Sequence, residues 1–374
     1  MIQNTCAAQV VRSRVLLSAF AILMACNAAR LADSPPAQIP VPNPAPLPVD
    51  KHGDVTRTTT AKGTDRLREW RGGVMGTSLQ LEVLGTDVAE LDRVLGLVLD
   101  ELRRVEDVFT VWRESELTRL NDRAGQGPIP VSRELALVLA TSIECGRVTR
   151  GAFDVSYFPL RSLWNYQAEH PTLPTQAEID AALAFVDWSR IEVDLEKNTV
   201  AMPAGFSIDL GGIAKGYGID RAMSVMLEQG VKNGLVQAGG DTKALGRKFG
   251  ESWQIAIKNP RHPGELFAVL PVVNQCVQTS GDYERFVEID GQRYHHIIDP
   301  RTGRPSQGCM SATVIGPEAT FADGIATAMC VLGPQAGMEI IEQLDRVEAV
   351  LVGMDGEVHL SSGLKKAAIP SKVR

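Results

Sequence analysis

The stretch DYERFVEIDGQRYHHIIDPRTGRP, from Asp282 to Pro305, decides the fold because it predicts antiparallel strand pairing. The dipeptide Asp290-Gly291 separates two β-rich runs, and the tightest hairpin turns need positive φ at both central positions. The returning strand, predicted over Tyr294 to Ile298, carries two adjacent histidines and leads into an Asp-Pro loop. A polar loop at a strand end is typical of a binding or catalytic site, although surface histidines would give the same pattern.

Helical and β-type segments alternate along the rest of the chain. Apolar residues at helical spacing, capping residues and terminal glycines predict four helices, which cover Val88–Phe109, Glu134–Val148, a segment opened by the capping box Thr175–Glu178, and Ile213–Glu228. Alternation and turn signals predict further strands at Trp253–Ile257, Leu266–Leu270, Phe286–Ile289, Ala312–Ile315 and Ala349–Val352. We therefore predict an α+β fold, a single large mixed domain over residues 66–374 with largely antiparallel sheets flanked by helices.

The N-terminal residues have the features of an export signal. Arg12 and Arg14 precede a short apolar run, Val15 to Ala25, which is too short to span a membrane as a helix. The run ends in Leu23-Met24-Ala25-Cys26, which resembles a bacterial lipobox. We expect residues 1–25 to be a lipoprotein signal peptide and Cys26 to carry the lipid; ordinary cleavage with a free Cys26 thiol is the alternative.

A proline-rich segment follows the expected anchor. Residues 34–49, SPPAQIPVPNPAPLPV, carry no charge and favour an extended chain without a packed core. We interpret residues 26–65 as a tether that holds the domain off a membrane, on the extracytoplasmic (periplasmic) side. The net charge of −7 and an aromatic content of 5% exclude an evident nucleic-acid-binding surface.

Asp323 and Thr327 are candidates for a metal site. They are four residues apart near the start of a predicted helix with Thr320 as N-cap, so both oxygens lie on one face. A carboxylate and a hydroxyl are hard ligands that suit Mg²⁺. From spacing alone, the simpler interpretation of Asp323 as an acidic residue that complements the helix dipole is favoured over a metal ligand.

The segment Asp209 to Gly216, DLGGIAKG, is a glycine-rich turn that opens a helix. Glycines let the backbone approach a phosphate, and Lys215 in the first helical turn adds a positive charge. The spacing is neither that of a dinucleotide-binding fingerprint nor that of a P-loop. The turn by itself is weak evidence for a pyrophosphate site.

Six motifs together resemble one family. They are MGT at Met75–Thr77, VWRESELTRLN at Val111–Asn121, GAFDVSYFPL at Gly151–Leu160, IDLGGIAKGYGID at Ile208–Asp220, AGGD at Ala238–Asp241 and ADGIAT at Ala322–Thr327. In this order, with the His-Ile-Ile-Asp-Pro run, the chain resembles the ApbE-type FAD:protein FMN transferases, the flavinyltransferase family. The resemblance runs from about Met75 to Leu344 and implies an ApbE/T-fold-like domain.

The resemblance also implies a set of site residues. The positions that match FAD contacts in the family are Met75, Trp112, Ala152, Phe153, Asp154, Asp209, Lys215 and His296. The positions that match Mg²⁺ ligands are Gly212, through its backbone carbonyl, with Asp323 and Thr327. His296 and Asp299 are the two candidates for the catalytic base, and the sequence does not decide between them.

The reaction implied by the resemblance is transfer of FMN from FAD to a protein. FAD is the substrate, Mg²⁺ the cofactor, and the partner an acceptor flavoprotein with a Ser/Thr flavinylation motif; AMP leaves. Two alternatives share the same residues: an FAD-binding or storage lipoprotein, and a Mg²⁺-dependent FAD pyrophosphatase that uses water as the acceptor. The presence of both predicted metal ligands, Asp323 and Thr327, favours an enzyme over a storage protein.

Overall fold

The structure is a computed structural model that describes residues 56–164 and 172–368. The expected signal peptide, Cys26 and the proline-rich segment lie outside these residues. The helices described are α1 (Val88–Phe109), α2 (Glu116–Asn121), α3 (Arg133–Val148), α4 (Phe158–Leu163), α5 (Gln176–Leu183), α6 (Ala214–Glu228), α7 (Ala319–Ile341) and α8 (Ser362–Ala368).

The strands are short and most of them follow one another in hairpins. Those described are β1 (Thr56–Lys62), β2 (Asp65–Val74), β3 (Thr77–Gly85), β4 (Ile129–Pro130), β5 (Glu192–Asp194), β6 (Thr199–Ala201), β7 (Asn233–Ala238), β8 (Asp241–Leu245), β9 (Trp253–Lys258), β10 (Leu266–Val272), β11 (Cys276–Gly281), β12 (Phe286–Ile289), β13 (Gln292–His295), β14 (Ile298–Asp299), β15 (Arg304–Pro305), β16 (Cys309–Gly316), β17 (Glu348–Gly353) and β18 (Val358–Leu360).

A nine-stranded sheet organises the domain. Within the described residues its strand order is β1-β2-β3-β7-β8-β11-β16-β17-β18, and every neighbouring pair is antiparallel. The predicted α+β class with largely antiparallel pairing is confirmed. The turn that suggested this pairing is also present, because Asp290 and Gly291 have φ of 51° and 77° between β12 and β13.

The sheet is covered on both faces. Helices α1, α6 and α7 pack together on one face, and the β9–β10 hairpin covers the other. Successive strand residues divide between the two cores: Val236 belongs to the helix-side core and Leu235 to the hairpin-side core. A strand with both faces buried needs apolar residues at consecutive positions, as β7 has at Leu235 and Val236.

Helix α7 is the central helix of the larger core. It is long and apolar enough to cross a membrane, with a mean hydropathy of 1.3, and it alone among the described residues meets that test. It packs against β11, β16 and α6, which identifies it as a core helix. Its helical geometry is interrupted at Gly333, which has φ of 79° and precedes Pro334.

Two strand predictions differ from the structure. The strand predicted over Tyr294 to Ile298 is divided: β13 ends at His295 and β14 begins at Ile298, because β13 pairs with β12 whereas β14 pairs with β15. Strand β10 does not stop before Pro271. It lies in a two-stranded sheet, where an edge position tolerates a residue without an amide hydrogen.

Two boundary predictions also differ. Thr320 is not the N-cap of α7; Glu318 holds that position, and Thr320 instead donates from its amide and hydroxyl to Asp220 at 2.8 and 2.6 Å. The predicted tether, residues 26–65, extends too far toward the C-terminus. Its residues Thr56–Lys62 form strand β1, which pairs along its full length with β2.

Candidate active site

Helices α6 and α7 meet at their N-terminal turns. The amide of Gly216 donates a 2.9 Å hydrogen bond to Asp323 Oδ2. A side chain at Gly216 would place its Cβ 2.2 Å from the carbonyl oxygen of Ala319, so glycine is required for this approach. The contact brings the glycine-rich turn against the segment that carries the predicted metal ligands.

The three predicted metal-site residues, Gly212, Asp323 and Thr327, lie together. Asp323 is buried, and Thr327 lies one turn further along the same helix. Gly212 faces Thr327, since a Cβ at Gly212 would lie 3.5 Å from Thr327 Oγ1. Ser280 at the end of β11 adds a hydroxyl 3.2 Å from Thr327 Oγ1. The arrangement concentrates hard oxygen atoms of the kind Mg²⁺ prefers.

Lys215 lies between two buried carboxylates. Its ammonium group donates to Asp241 and, at 3.3 Å, to Asp323 Oδ1. Burial would lower the pKa of Lys215, but these two carboxylates outweigh it and raise that pKa. Burial also raises the pKa of Asp323, despite the opposing charge of Lys215. When both carboxylates are ionised, their two negative charges exceed the one charge of the ammonium, and a cation can neutralise the remainder.

Asp241 is a site residue that was not among the predicted ones. It is buried, and its Oδ1 accepts a 2.8 Å hydrogen bond from the amide of Thr279. Its motif, AGGD, is one of the six motifs of the family resemblance, but it predicts no role for the aspartate by itself. Gly239 and Gly240 do adopt positive φ there, 63° and 107°. The signal for Asp241 was present in that motif, but its partner Lys215 is 26 residues away.

Trp112 and Asp209 are joined by Arg161. The Trp112 side chain is 75% exposed, and the Arg161 guanidinium lies 4.8 Å from the centre of its ring. Arg161 also donates to the buried carboxylate of Asp209, which accepts the amide of Gly211 at 2.6 Å. The exposed aromatic ring and the glycine-rich turn are therefore connected through one side chain that sequence reasoning did not single out.

Met75 and Phe153 line the α6 side of the site. Met75 has a positive φ of 52°, and its amide donates to Glu106 Oε2 at 3.0 Å. Its sulfur lies near Gly218, 2.9 Å from the position of a Cβ there. Phe153 is buried beneath Gly212, 3.1 Å from the position of a Cβ there. Ala152 is also buried.

The Asp154 carboxylate forms hydrogen bonds with neighbouring residues inside the protein. Its Oδ1 accepts from the amide and hydroxyl of Ser156 at 2.8 and 2.6 Å, and its Oδ2 accepts from the amide of Trp188 at 2.9 Å. Burial raises the pKa of Asp154. These bonds fix the turn that presents Phe153, whereas a direct contact of Asp154 with FAD stays a prediction.

The two adjacent histidines have different environments. His295 is buried, and its Nε2 lies 2.8 Å from the carbonyl oxygen of Ser306. His296 is half-buried, and its Nδ1 lies 3.3 Å from the carbonyl oxygen of Arg285. Burial, with the nearby charges of Arg285 and Lys215, lowers the pKa of His296 to about 3.

Asp299 accepts hydrogen bonds from the residues that follow it in its own loop. Its two carboxylate oxygens accept from the Arg301 guanidinium, each at 2.8 Å, and its backbone carbonyl accepts the amides of Thr302 and Gly303. Both carboxylate oxygens of Asp299 are thus paired with one guanidinium. The choice between His296 and Asp299 as the catalytic base stays a prediction.

No group of three or more His, Cys, Asp or Glu side chains with metal-binding geometry occurs in residues 56–164 and 172–368. This does not conflict with a magnesium site. Mg²⁺ commonly uses one or two carboxylates together with substrate phosphates and water.

The chain is similar to proteins of one family along most of its length. The sequence model of the ApbE family matches residues 75–351. The FAD:protein FMN transferase of Treponema pallidum is 32% identical over 323 residues, which cover 81% of this chain and 89% of that protein. The FAD:protein FMN transferase of Klebsiella pneumoniae is 32% identical over 302 residues, which cover 80% and 93%.

Solved structures agree with this similarity. The ApbE protein of Thermotoga maritima superposes with a TM-score of 0.75 at 30% identity, covering 81% of this chain and 99% of that one. The flavin transferase ApbE of Vibrio cholerae gives 0.72 at 29% identity, covering 83% and 99%.

Proposed function

The chain belongs to the ApbE family, and from that premise we propose a complete reaction for it. It is an FAD:protein FMN transferase, like the relatives that it resembles. We propose that a serine or threonine hydroxyl of an acceptor protein attacks the FMN phosphorus of FAD. The new bond is a phosphoester, the bond between the two phosphates breaks, and AMP leaves with the bridging oxygen.

The observation that carries this proposal is the junction of α6 and α7. Through the bond between Gly216 and Asp323, the glycine-rich turn and the Lys215 ammonium lie beside the face formed by Asp323 and Thr327. A positive side chain and hard oxygen ligands at one point suit a pyrophosphate with its cation. The Trp112 ring offers a stacking surface for a flat heterocycle nearby.

The residues present fit Mg²⁺. We propose that Asp323, Thr327 and the carbonyl of Gly212 hold the ion, in agreement with the expectation from the family resemblance. When bound, Mg²⁺ would neutralise negative charge on the phosphates. Asp241 would then keep Lys215 positioned, because the two already form an ion pair.

His296 is proposed to accept the proton of the attacking hydroxyl. A carbonyl oxygen only accepts hydrogen bonds, so the contact between His296 Nδ1 and Arg285 requires the hydrogen on Nδ1. The lone pair is then on Nε2, which is the atom that can act as base. The hydrogen bond also holds the ring in one orientation.

Transfer and hydrolysis differ only in the acceptor. The test is to incubate the protein with FAD, Mg²⁺ and a candidate acceptor protein and to weigh the acceptor by mass spectrometry. A mass gain equal to one FMN residue, with matching release of AMP, supports transfer. FMN and AMP released with an unchanged acceptor mass would instead identify a pyrophosphatase, and FAD recovered intact would identify a storage protein.

We propose further that the mature protein is a lipoprotein, anchored through Cys26 on the extracytoplasmic side of a bacterial membrane. The support is the lipobox-like sequence Leu23 to Cys26 behind a short apolar run. The acceptor would then be a protein with a Ser/Thr flavinylation motif exposed to the same compartment.

A further inference from the structure

Arg161 occupies the junction between an exposed ring and a buried carboxylate. The guanidinium carbon of Arg161 lies over the Trp112 ring, 4.8 Å from the ring centre, and one of the guanidinium nitrogens donates to Asp209. The Arg161 side chain is 26% exposed, whereas that of Asp209 is 3% exposed. Arg161 thus extends from the surface of the site to its glycine-rich base.

Trp112 has few other contacts that could fix its ring. The side chain is 75% exposed, and residues 110–115 form a connection without regular structure between α1 and α2. Its amide donates to Thr110 Oγ1 at 3.2 Å, but that bond positions the backbone and not the ring. Because little of the ring is buried, its orientation depends strongly on the cation–π contact with Arg161.

The Asp209 end of the contact is fixed more firmly. Asp209 accepts from the amide of Gly211 at 2.6 Å, and its own amide donates to the carbonyl of Val155 at 3.0 Å. These two bonds hold the Asp209 carboxylate in a fixed position within the turn. A planar guanidinium can pair with a carboxylate through its edge while its face stacks on a ring, which an ammonium group cannot do.

We propose that Arg161 is a positioning residue for the FAD substrate: it sets the Trp112 ring at a fixed distance from the glycine-rich turn. A flat ring system of the substrate then stacks on the Trp112 ring, whose orientation is set before binding. The phosphates of the substrate reach the glycine-rich turn. This inference rests on the proposed function for the identity of the ligand. The geometry of Arg161 and Trp112 stands independently of it.

The test uses Arg161→Lys in the whole protein. Lysine keeps the positive charge near the buried Asp209 carboxylate, so the variant avoids an unpaired buried charge. We expect the KM for FAD to rise roughly tenfold with kcat within about twofold of the starting value, because binding is lost and the reacting atoms are untouched. Arg190→Lys is the matched control, since Arg190 lies 5.0 Å over the Phe206 ring and is not part of the site.

A second readout does not depend on activity. The fluorescence anisotropy of Trp112 is obtained as the difference between the protein and its Trp112→Phe variant, without FAD. We expect Arg161→Lys to lower this anisotropy and Arg190→Lys to leave it unchanged. In the Trp112→Phe background, Arg161→Lys should raise the KM for FAD by much less, because the two residues act as one unit.

The outcomes separate the two proposals. Unchanged Trp112 anisotropy and unchanged FAD affinity in Arg161→Lys would overturn the positioning role, even if FMN transfer is observed. A fall in kcat at constant KM would also overturn it, since Arg161 would then act on the chemical step. A protein that binds FAD in an Arg161-dependent way but transfers no FMN would refute the proposed reaction and leave the positioning role intact.

Discussion

The backbone carbonyl of Arg285 accepts from two nitrogens of His296, the amide at 3.0 Å and the ring Nδ1 at 3.3 Å. The paired contact fixes the ring relative to the backbone at the point where the chain leaves β13. It also specifies the tautomer with a free lone pair on Nε2. Position and tautomer together define the proton acceptor that the proposed transfer needs.

The first prediction concerns His296→Ala. Loss of a general base should reduce FMN transfer by roughly 10²–10⁴-fold. FAD affinity should change much less, although His296 also matches an FAD contact of the family, because the base acts on the acceptor hydroxyl. The measurement is a transfer rate and an FAD dissociation constant on the same preparation. His262→Ala is the control, since His262 is exposed in the loop between β9 and β10.

His295→Ala is expected to act differently from His296→Ala. Its ring is buried and contacts the carbonyl of Ser306, so truncation should lower the unfolding free energy by about 1–3 kcal/mol. Transfer per folded molecule should remain close to the original rate. Equal losses of turnover in the two variants, or a His296→Ala loss explained wholly by weaker FAD binding, would remove the role of base.

The second prediction concerns the pH profile. The pKa of His296 is lowered to about 3, so the free enzyme holds a neutral ring throughout pH 5 to 8. Because kcat/KM reports ionisations of the free enzyme, we expect no fall in kcat/KM from His296 as the pH decreases through 6.5. Histidine-selective NMR titration checks the same point, and a ring resonance of His296 that titrates near pH 6.5 would contradict it.

The lowered pKa of His296 also makes the free energy of unfolding depend on pH. In the unfolded chain the ring takes up a proton near pH 6.5, whereas in the folded protein it does so only near pH 3. The unfolded state therefore binds more protons as the pH falls below 6.5, and His296 contributes a loss of stability between pH 6.5 and about 3. The pH dependence of urea unfolding should weaken over this interval in His296→Ala.

Local sequence patterns predicted much of this fold. Helix α1 has the predicted bounds, and β12 does as well, because a full helical stripe and a hairpin turn are both encoded within a few residues. The division of the strand at His296 was not predictable in this way. It depends on β14 pairing with β15 beyond the Asp-Pro loop, and periodicity along one strand carries no information about its partner.

The site was predicted to the extent that its residues belong to contiguous motifs. Gly212, Lys215, Asp323 and Thr327 do lie together, although the first two belong to the glycine-rich turn and the last two to α7, and Lys215 and Asp323 are 108 residues apart. The roles of Arg161 and Asp241 depend on side-chain pairs separated by 48 and 26 residues. No spacing rule for a single helix or strand reaches that far, so these contacts became visible only in the folded chain.

The third prediction concerns Asp323→Asn. The amide keeps the size of the side chain and can still accept from Gly216, so the fold should remain intact while the charge is lost. We expect at least about a 100-fold fall in Mg²⁺-dependent transfer. Glu339→Gln is the control, because Glu339 is an exposed acid on the same helix. Wild-type turnover in Asp323→Asn at the same Mg²⁺ concentration would exclude Asp323 as a ligand.

The fourth prediction concerns the membrane anchor. Cys26→Ser should release the mature protein from the membrane fraction or leave it unprocessed, because a bacterial lipoprotein depends on several acyl chains for stable attachment. Fractionation and intact mass measure both effects. Unchanged fractionation with unchanged mass would show that Cys26 carries no lipid.

The last prediction uses two helical glycines with opposite surroundings. At Gly216 a Cβ would lie 2.2 Å from the carbonyl oxygen of Ala319 and 2.8 Å from the Cβ of Asp323. At Gly96 in α1 a Cβ would meet no heavy atom within 4 Å. Alanine is the better helix former, so Gly96→Ala should stabilise the protein by about 0.5–1 kcal/mol.

Gly216→Ala should do the reverse, since α6 must move away from α7 to admit the methyl group. We expect a loss of about 1–3 kcal/mol in the unfolding free energy, as for an overpacked core. The shift would also break the bond between the Gly216 amide and Asp323, so transfer activity should fall even where the variant is fully folded. Urea unfolding of both variants, with transfer rates measured well below their midpoints, tests the two effects separately. Stabilisation of Gly216→Ala equal to that of Gly96→Ala would mean that the contact between α6 and α7 does not hold the site together.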